Sequence, residues 1–207
     1  MINFEYYISN FKRVFILANS KSEKKFENTF FNSDDLFIIF NKGISKHIIN
    51  KLPNILWFHR EDEEKKLWFG EEFVHEYVNI FHATIADSEI PAPKWSKFHL
   101  KTKEMPQIER YPIGKKIFNF KNKKKNRKII TPTTGFIVLM NLENFNYKKT
   151  IEIYSIGFGK FPNGWYGHDW QYERKAISKF KKIKPMTNRI KNDRFLFIRA
   201  LIPNNFI

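Results

Sequence analysis

Arg13-Val14-Phe15-Ile16-Leu17-Ala18 runs into Asn19-Ser20, and Leu36-Phe37-Ile38-Ile39-Phe40 runs into Asn41-Lys42-Gly43. Each apolar run is short, partly β-branched and closed by small polar residues. That is the pattern of a strand buried on both faces and ending in a loop. Strands apolar on both faces belong to parallel sheets covered by helices. The expected fold is therefore α/β: a single domain over residues 1–207, with a Rossmann-like, mostly parallel sheet flanked by helices. In such sheets ligands bind beyond the carboxyl ends of the strands, which puts Asn19, Ser20 and Asn41 on one rim.

The pattern continues outward from these two runs. Ile55-Leu56-Trp57-Phe58 reads as a third strand, leading to His59-Arg60. Glu61 to Phe81 reads as a helix, acidic at its start and apolar at Leu67, Trp68, Phe73, Val74 and Ile80. Ile90-Pro91-Ala92-Pro93 is a loop, and Lys94 to Tyr111 has no clear period. Glu23 to Phe30 is a short amphipathic segment. Ile151 to Ile156 is strand-like. After Glu173 a basic helix reaches Lys182, a loop passes through Pro185, and Phe195 to Arg199 makes a last strand.

Composition sets bounds without choosing a function. The net charge of +16 attracts nucleotides, acidic glycans, anionic membrane surfaces or nucleic acid alike. There is no cysteine, so disulfides and thiolate metal sites are excluded. Met1 to Arg13 has no apolar core of a secretory signal, and no apolar run has the length of a membrane span. A cytoplasmic protein is expected, with peripheral contact to the inner membrane face allowed by the basic surface. Lys115 to Lys128, with Lys123-Lys124-Lys125 and Arg127-Lys128, is the densest basic run. Phe118 and Phe120 interleave with it as a nucleic-acid site would require, though such runs are most often solvated loops.

Three pieces carry chemistry. Pro132-Thr133-Thr134-Gly135 precedes the apolar run Phe136 to Met140, which predicts a capped helix whose first-turn amides suit a phosphate. Gly157-Phe158-Gly159 follows a strand and marks a tight turn, or a place where the backbone passes close to a ligand. His168 opens the next helix beside Asp169 and ahead of Glu173, a setting that can hold an imidazole in one tautomer as a base. The plain alternatives are an ordinary cap, an ordinary turn and a surface histidine. No His-x-x-x-His or Asp-x-Asp spacing supports a metal site.

Together these pieces resemble the sialylmotifs of the animal-type sialyltransferases. Val14 to Ser20 with Asp35 to Asn41 is similar to the large motif, a strand, Asn-Ser, a spacer and a second strand ending in Asn. Pro132-Thr133-Thr134-Gly135 through Gly157-Phe158-Gly159 is similar to the small motif. His168 and Glu173 fit the very small motif, His-x4-Glu. The resemblance covers about 20–43 and 131–180 and leaves the middle unmatched. Ala18 stands where the large motif has Gly, and Ile39-Phe40-Asn41 where it has Arg-Met-Asn. The separate His-Tyr motif has no clear counterpart; Trp165 and Tyr166 are the nearest aromatics.

The resemblance implies CMP-sialic acid as donor, a glycan or glycolipid as acceptor, and no cofactor or metal. It implies that Asn19, Ser20 and Asn41 contact the donor's phosphate and cytidine, and that Thr133, Thr134 and Gly135 hold the donor at the helix start. Gly157 would pass close to it. His168 would take the acceptor hydroxyl proton in an inverting displacement, supported by Glu173. A CMP-Kdo-dependent transferase of capsule or lipopolysaccharide synthesis is the nearest rival. A basic nucleic-acid-binding protein, or an inactive accessory relative, is the rival from another class; the motif reading expects no nucleic acid as partner.

Overall fold

β1 (Arg13–Leu17) and β2 (Asp35–Phe40) lie side by side in parallel, Val14 opposite Leu36 and Ile16 opposite Ile38. A computed structural model of the chain describes residues 3–18, 31–42, 49–62, 66–86, 90–101, 116–118, 127–129, 131–158 and 168–186. The other strands of the main sheet are β3 (Asn54–Asp62), β4 (Leu67–Trp68), β5 (Phe81–Ala86), β6 (Phe98–Lys101), β9 (Glu152–Ile156) and β10 (Ile183–Met186). Their order is β10-β9-β1-β2-β3-β5-β6, every pair along that path parallel, with β4 turned back antiparallel on the end of β3. β7 (Lys116–Phe118) and β8 (Arg127–Ile129) pair apart as an antiparallel ribbon.

The period-two rule explains why this sheet needs cover on both faces. Val14, Ile16, Leu36, Ile38, Phe40, Leu56 and Phe58 point to one side, in a core shared with Phe136 to Leu139. Phe15, Leu17, Phe37, Ile39, Ile55 and Trp57 point to the other. The first face is covered by α1 (Phe4–Ile8), α3 (Thr134–Asn144) and α4 (Trp170–Ile177). α3 is buried from Thr134 to Leu139 and at Asn141 and Leu142, consistent with a helix apolar around most of its circumference. α2 (Glu72–Glu76) carries Phe73 to the second face. The α/β, mostly parallel architecture expected from the apolar runs is the one observed.

Two expectations are corrected. Glu61 to Phe81 is not one helix. β3 runs on to Asp62, Lys66 and Gly70 take left-handed backbone angles (φ 53° and 80°), and among the described residues of this stretch only Glu72–Glu76 is helical. Two left-handed residues so close together break any helix and fold the chain back as a strand return. The basic helix after Glu173 ends at Ile177, and Pro185 sits in β10 rather than in a loop. β10 is the edge of the sheet, where a residue without an amide hydrogen costs no ladder bond. Glu23 to Phe30, the centre of the basic run and Phe195 to Arg199 lie outside the described residues. Among the described residues no helix is long and apolar enough to cross a membrane.

β1 lies between β2 and β9, so the chain's path through the sheet reverses there. The carboxyl ends of β1, β2 and β9 therefore flank a topological switch point. The amino terminus of α3 lies over that end: Gly135 is packed against Phe40, from β2, and Phe158, just past β9.

Candidate active site

Thr133 is the N-cap of α3. It has extended backbone angles, and its Oγ1 accepts the Phe136 amide at 3.0 Å. Thr133 is in turn held by Glu173, from the first turn of α4. One carboxylate oxygen accepts the Thr133 N–H and the other accepts the Thr133 hydroxyl, each at 2.7 Å. Glu173 is only 3% exposed. A carboxylate at a helix amino terminus is favoured by the unpaired amides and the dipole there. Glu173 thus acts on the site through Thr133, docking α4 onto the start of α3. Its neighbour Asp169 is spent on its own helix: it is the N-cap of α4, and Oδ1 accepts the Tyr172 amide at 2.9 Å.

Asn41 follows β2 with φ 49°, a left-handed angle that Asn tolerates better than most residues. Its peptide carbonyl accepts the Trp57 indole N–H at 2.8 Å. Its side chain spans the rim: Nδ2 donates to Thr134 Oγ1 at 3.3 Å, and Oδ1 accepts the Arg60 amide at 3.0 Å. Asn41 and Thr134, 93 positions apart, are therefore in direct contact.

His168 lies on the other side of the same turn. Its Nδ1 is 2.6 Å from the Thr131 carbonyl oxygen. A carbonyl only accepts, so Nδ1 carries the hydrogen and Nε2 of the neutral ring keeps its lone pair. Burial pushes the imidazole down to about 4; the bond to Thr131 opposes that shift and the nearby Arg60 cation adds to it. At neutral pH the ring is an uncharged base. Trp170 stands edge-on against it, with ring centroids 5.2 Å apart.

Arg60 was not singled out in the sequence. It sits at the carboxyl end of β3, 8% exposed, and its guanidinium donates to the Pro132 carbonyl. A buried arginine at a strand end, two residues past the apolar run, is the signal that could have marked it.

The two glycines have local reasons. A Cβ on Gly135 would come within 2.7 Å of the Phe158 ring and 3.4 Å of the Phe40 ring, so its smallness serves helix-on-sheet packing. Gly157 (φ 82°) makes the left-handed turn that precedes Phe158. Asn19, Ser20, Gly159, Trp165 and Tyr166 lie outside the described residues.

Of the residues read as a site, Asn41, Thr133, Thr134, Gly135, His168 and Glu173 meet around the start of α3, and Gly157 borders them through Phe158. Among the described residues no group of three His, Asp or Glu side chains is placed to hold a metal ion. A separate groove of about 430 Å³ opens at the opposite, amino-terminal end of β3 and β5, lined by Tyr7, Leu52, Tyr77 and Ile80 among others. It shares no residue with this cluster.

Comparisons with protein-family models, with curated proteins and with solved structures give no match to this chain.

Proposed function

We propose that the protein is a metal-independent, inverting glycosyltransferase that moves a sialic acid, or a related nonulosonic acid, from a CMP-activated donor to a glycan or glycolipid hydroxyl. The observation that carries the reading is the meeting of Asn41, Thr134 and His168 at one helix start beyond the carboxyl ends of a parallel sheet. The amides of Thr134 and Gly135 donate to no group among the described residues. They and the dipole of α3 suit a phosphate.

The chemistry asks two things of such a site. The bond between the anomeric carbon and the phosphate oxygen breaks, and its electron pair leaves with CMP. First-turn amides stabilise that charge without reorganising. The acceptor oxygen bonds to the anomeric carbon from the opposite face, and its proton passes to Nε2 of His168. Positioned bases of this kind typically contribute about 10²–10⁴-fold. A ring held near 4 is below the best basicity for this work. The anionic donor corrects that, because a phosphate beside the imidazole favours its charged form.

The test is CMP release from CMP-sialic acid and from CMP-Kdo, each with and without a chelator. Transfer from one donor, undiminished by chelator and lost by 10²-fold or more in His168→Ala while CMP still binds, is the expected result. Full turnover in His168→Ala, or no binding of CMP by the wild type, ends the reading.

A further inference from the structure

We infer that Arg60 is a positioning residue of this site, holding the turn before α3 and adding to the burial that keeps His168 uncharged. The inference deepens the transferase reading and takes its catalytic meaning from it, but its geometry stands alone.

Two bonds tie Arg60 to the cluster, and two more link its partners to Thr134 and His168. Its amide donates to Asn41 Oδ1 at 3.0 Å, and the same Asn41 donates to Thr134. Its guanidinium donates to the carbonyl of Pro132. The carbonyl one residue earlier, on Thr131, takes the Nδ1–H of His168. Guanidinium and imidazole therefore hold adjacent carbonyls of one turn, the first buried and the second half-buried. A cation fixed there repels a second positive charge far more strongly than it would at the surface.

Of the charged groups around the ring, Arg60 is the one whose field disfavours the charged imidazole. Asp169, on the same helix, points one oxygen at the Tyr172 amide, and Glu173 spends both oxygens on Thr133. Arginine suits the place because its fork reaches a carbonyl while its charge persists at any working pH. Lysine would keep the charge with a poorer reach.

The experiment follows the His168 ring by NMR in selectively labelled protein as pH falls from 8 to about 4.5, in wild type, Arg60→Lys and Arg60→Gln. Wild type is expected to stay neutral through most of that range, and Arg60→Lys to track it within a few tenths of a pH unit. Arg60→Gln is expected to titrate higher, by more than the margin allowed to the Lys variant. An unmoved Gln variant, or a Lys variant that moves as far, overturns the inference. Should the Gln variant not fold, the Lys variant still decides: an imidazole titrating there at its ordinary value overturns it. CMP release measured in parallel separates the two readings. An acid limb displaced to higher pH in Arg60→Gln supports both. A displaced NMR titration with no CMP release from any variant leaves Arg60 in its role and removes the transferase.

Discussion

His59 and His82 show how burial sets the charge of a side chain from the inside. Nδ1 of His59 lies 2.9 Å from the Phe69 carbonyl, Nε2 of His59 lies 2.9 Å from Nδ1 of His82, and Nε2 of His82 lies 3.0 Å from the Tyr77 carbonyl. Both ends of the chain are acceptors, so filling all three contacts takes three protons, which means one net positive charge. One more hydrogen bond contributes about 0.5–1.5 kcal/mol, whereas a cation removed from water costs several. Burial prevails, and His59 is pushed down to about 4 with His82 lowered in the same direction. Two protons then serve three contacts. His168 is likewise held at about 4. All three shifts have the same sign: the unfolded chain binds protons that the folded chain refuses. Stability is complete above the ordinary histidine value of about 6.5 and falls as pH drops toward about 4. For the fully buried His59 the loss is on the order of 3 kcal/mol. Urea melts at pH 7.5, 6 and 5 should show the midpoint falling, with a shallower slope in His59→Gln. A profile flat over that range would mean the imidazoles titrate in the fold as they do in the unfolded chain.

At the level of elements, α3 depends on what its glycine leaves room for. In Gly135→Ala the new methyl meets the Phe158 ring at 2.7 and 2.9 Å, closer than real contacts allow. Overpacking of this kind typically costs about 1–3 kcal/mol. Because α3 carries Thr133 and Thr134, the start of the helix should move with it. The expected outcome is a lower melting temperature and weaker CMP binding, both partly restored when Phe158→Leu is added. Lost binding with an unchanged melting temperature would mean instead that Gly135 lies against the ligand. The same elements show what was legible in the sequence. β1 and β2 declared themselves because nearly every residue in them is apolar, β9 more faintly through Ile153, Tyr154 and Ile156, and α3 because Thr133 is a cap before an apolar run. β5 did not, since His82 and Thr84 interrupt its pattern. They are tolerated in the core because partners wait across the sheet, His59 for His82, and Ser96 and His99 for Thr84. The helix expected from Glu61 onward failed for a related reason. Its apolar spacing was real, but the left-handed angles at Lys66 and Gly70 are a backbone property that side-chain periodicity does not carry. Arg60 carries no such mark in the sequence, because a charged residue after a strand looks like a loop until the fold closes over it.

For the whole molecule, the question is what a net charge of +16 does. All strands of the main path run the same way, so residues just before them gather at one end. Lys12 precedes β1, Lys148 and Lys149 precede β9, and Lys181 and Lys182 precede β10, all exposed. The cluster built on Asn41, Thr134 and His168 lies at the opposite end, beyond the carboxyl termini. A sheet of this depth keeps the two ends farther apart than the screening length of about 8 Å at physiological salt, so these surface lysines would add little to any cytidylate bound at α3. They would still add to any non-specific grip on a polyanion, which depends on the number of phosphates neutralised. Reversing Lys12, Lys149, Lys181 and Lys182 to Glu should therefore leave CMP affinity within about twofold in 150 mM salt. Oligonucleotide binding by the same variant should weaken by tenfold or more, with a shallower dependence on salt. Titrating both ligands against wild type and variant over a range of salt reads out the two effects together. Parallel loss of CMP and oligonucleotide binding would show that the protein takes nucleotides as polyanions through its surface charge, and that the cluster at α3 is only the well-made start of a buried helix.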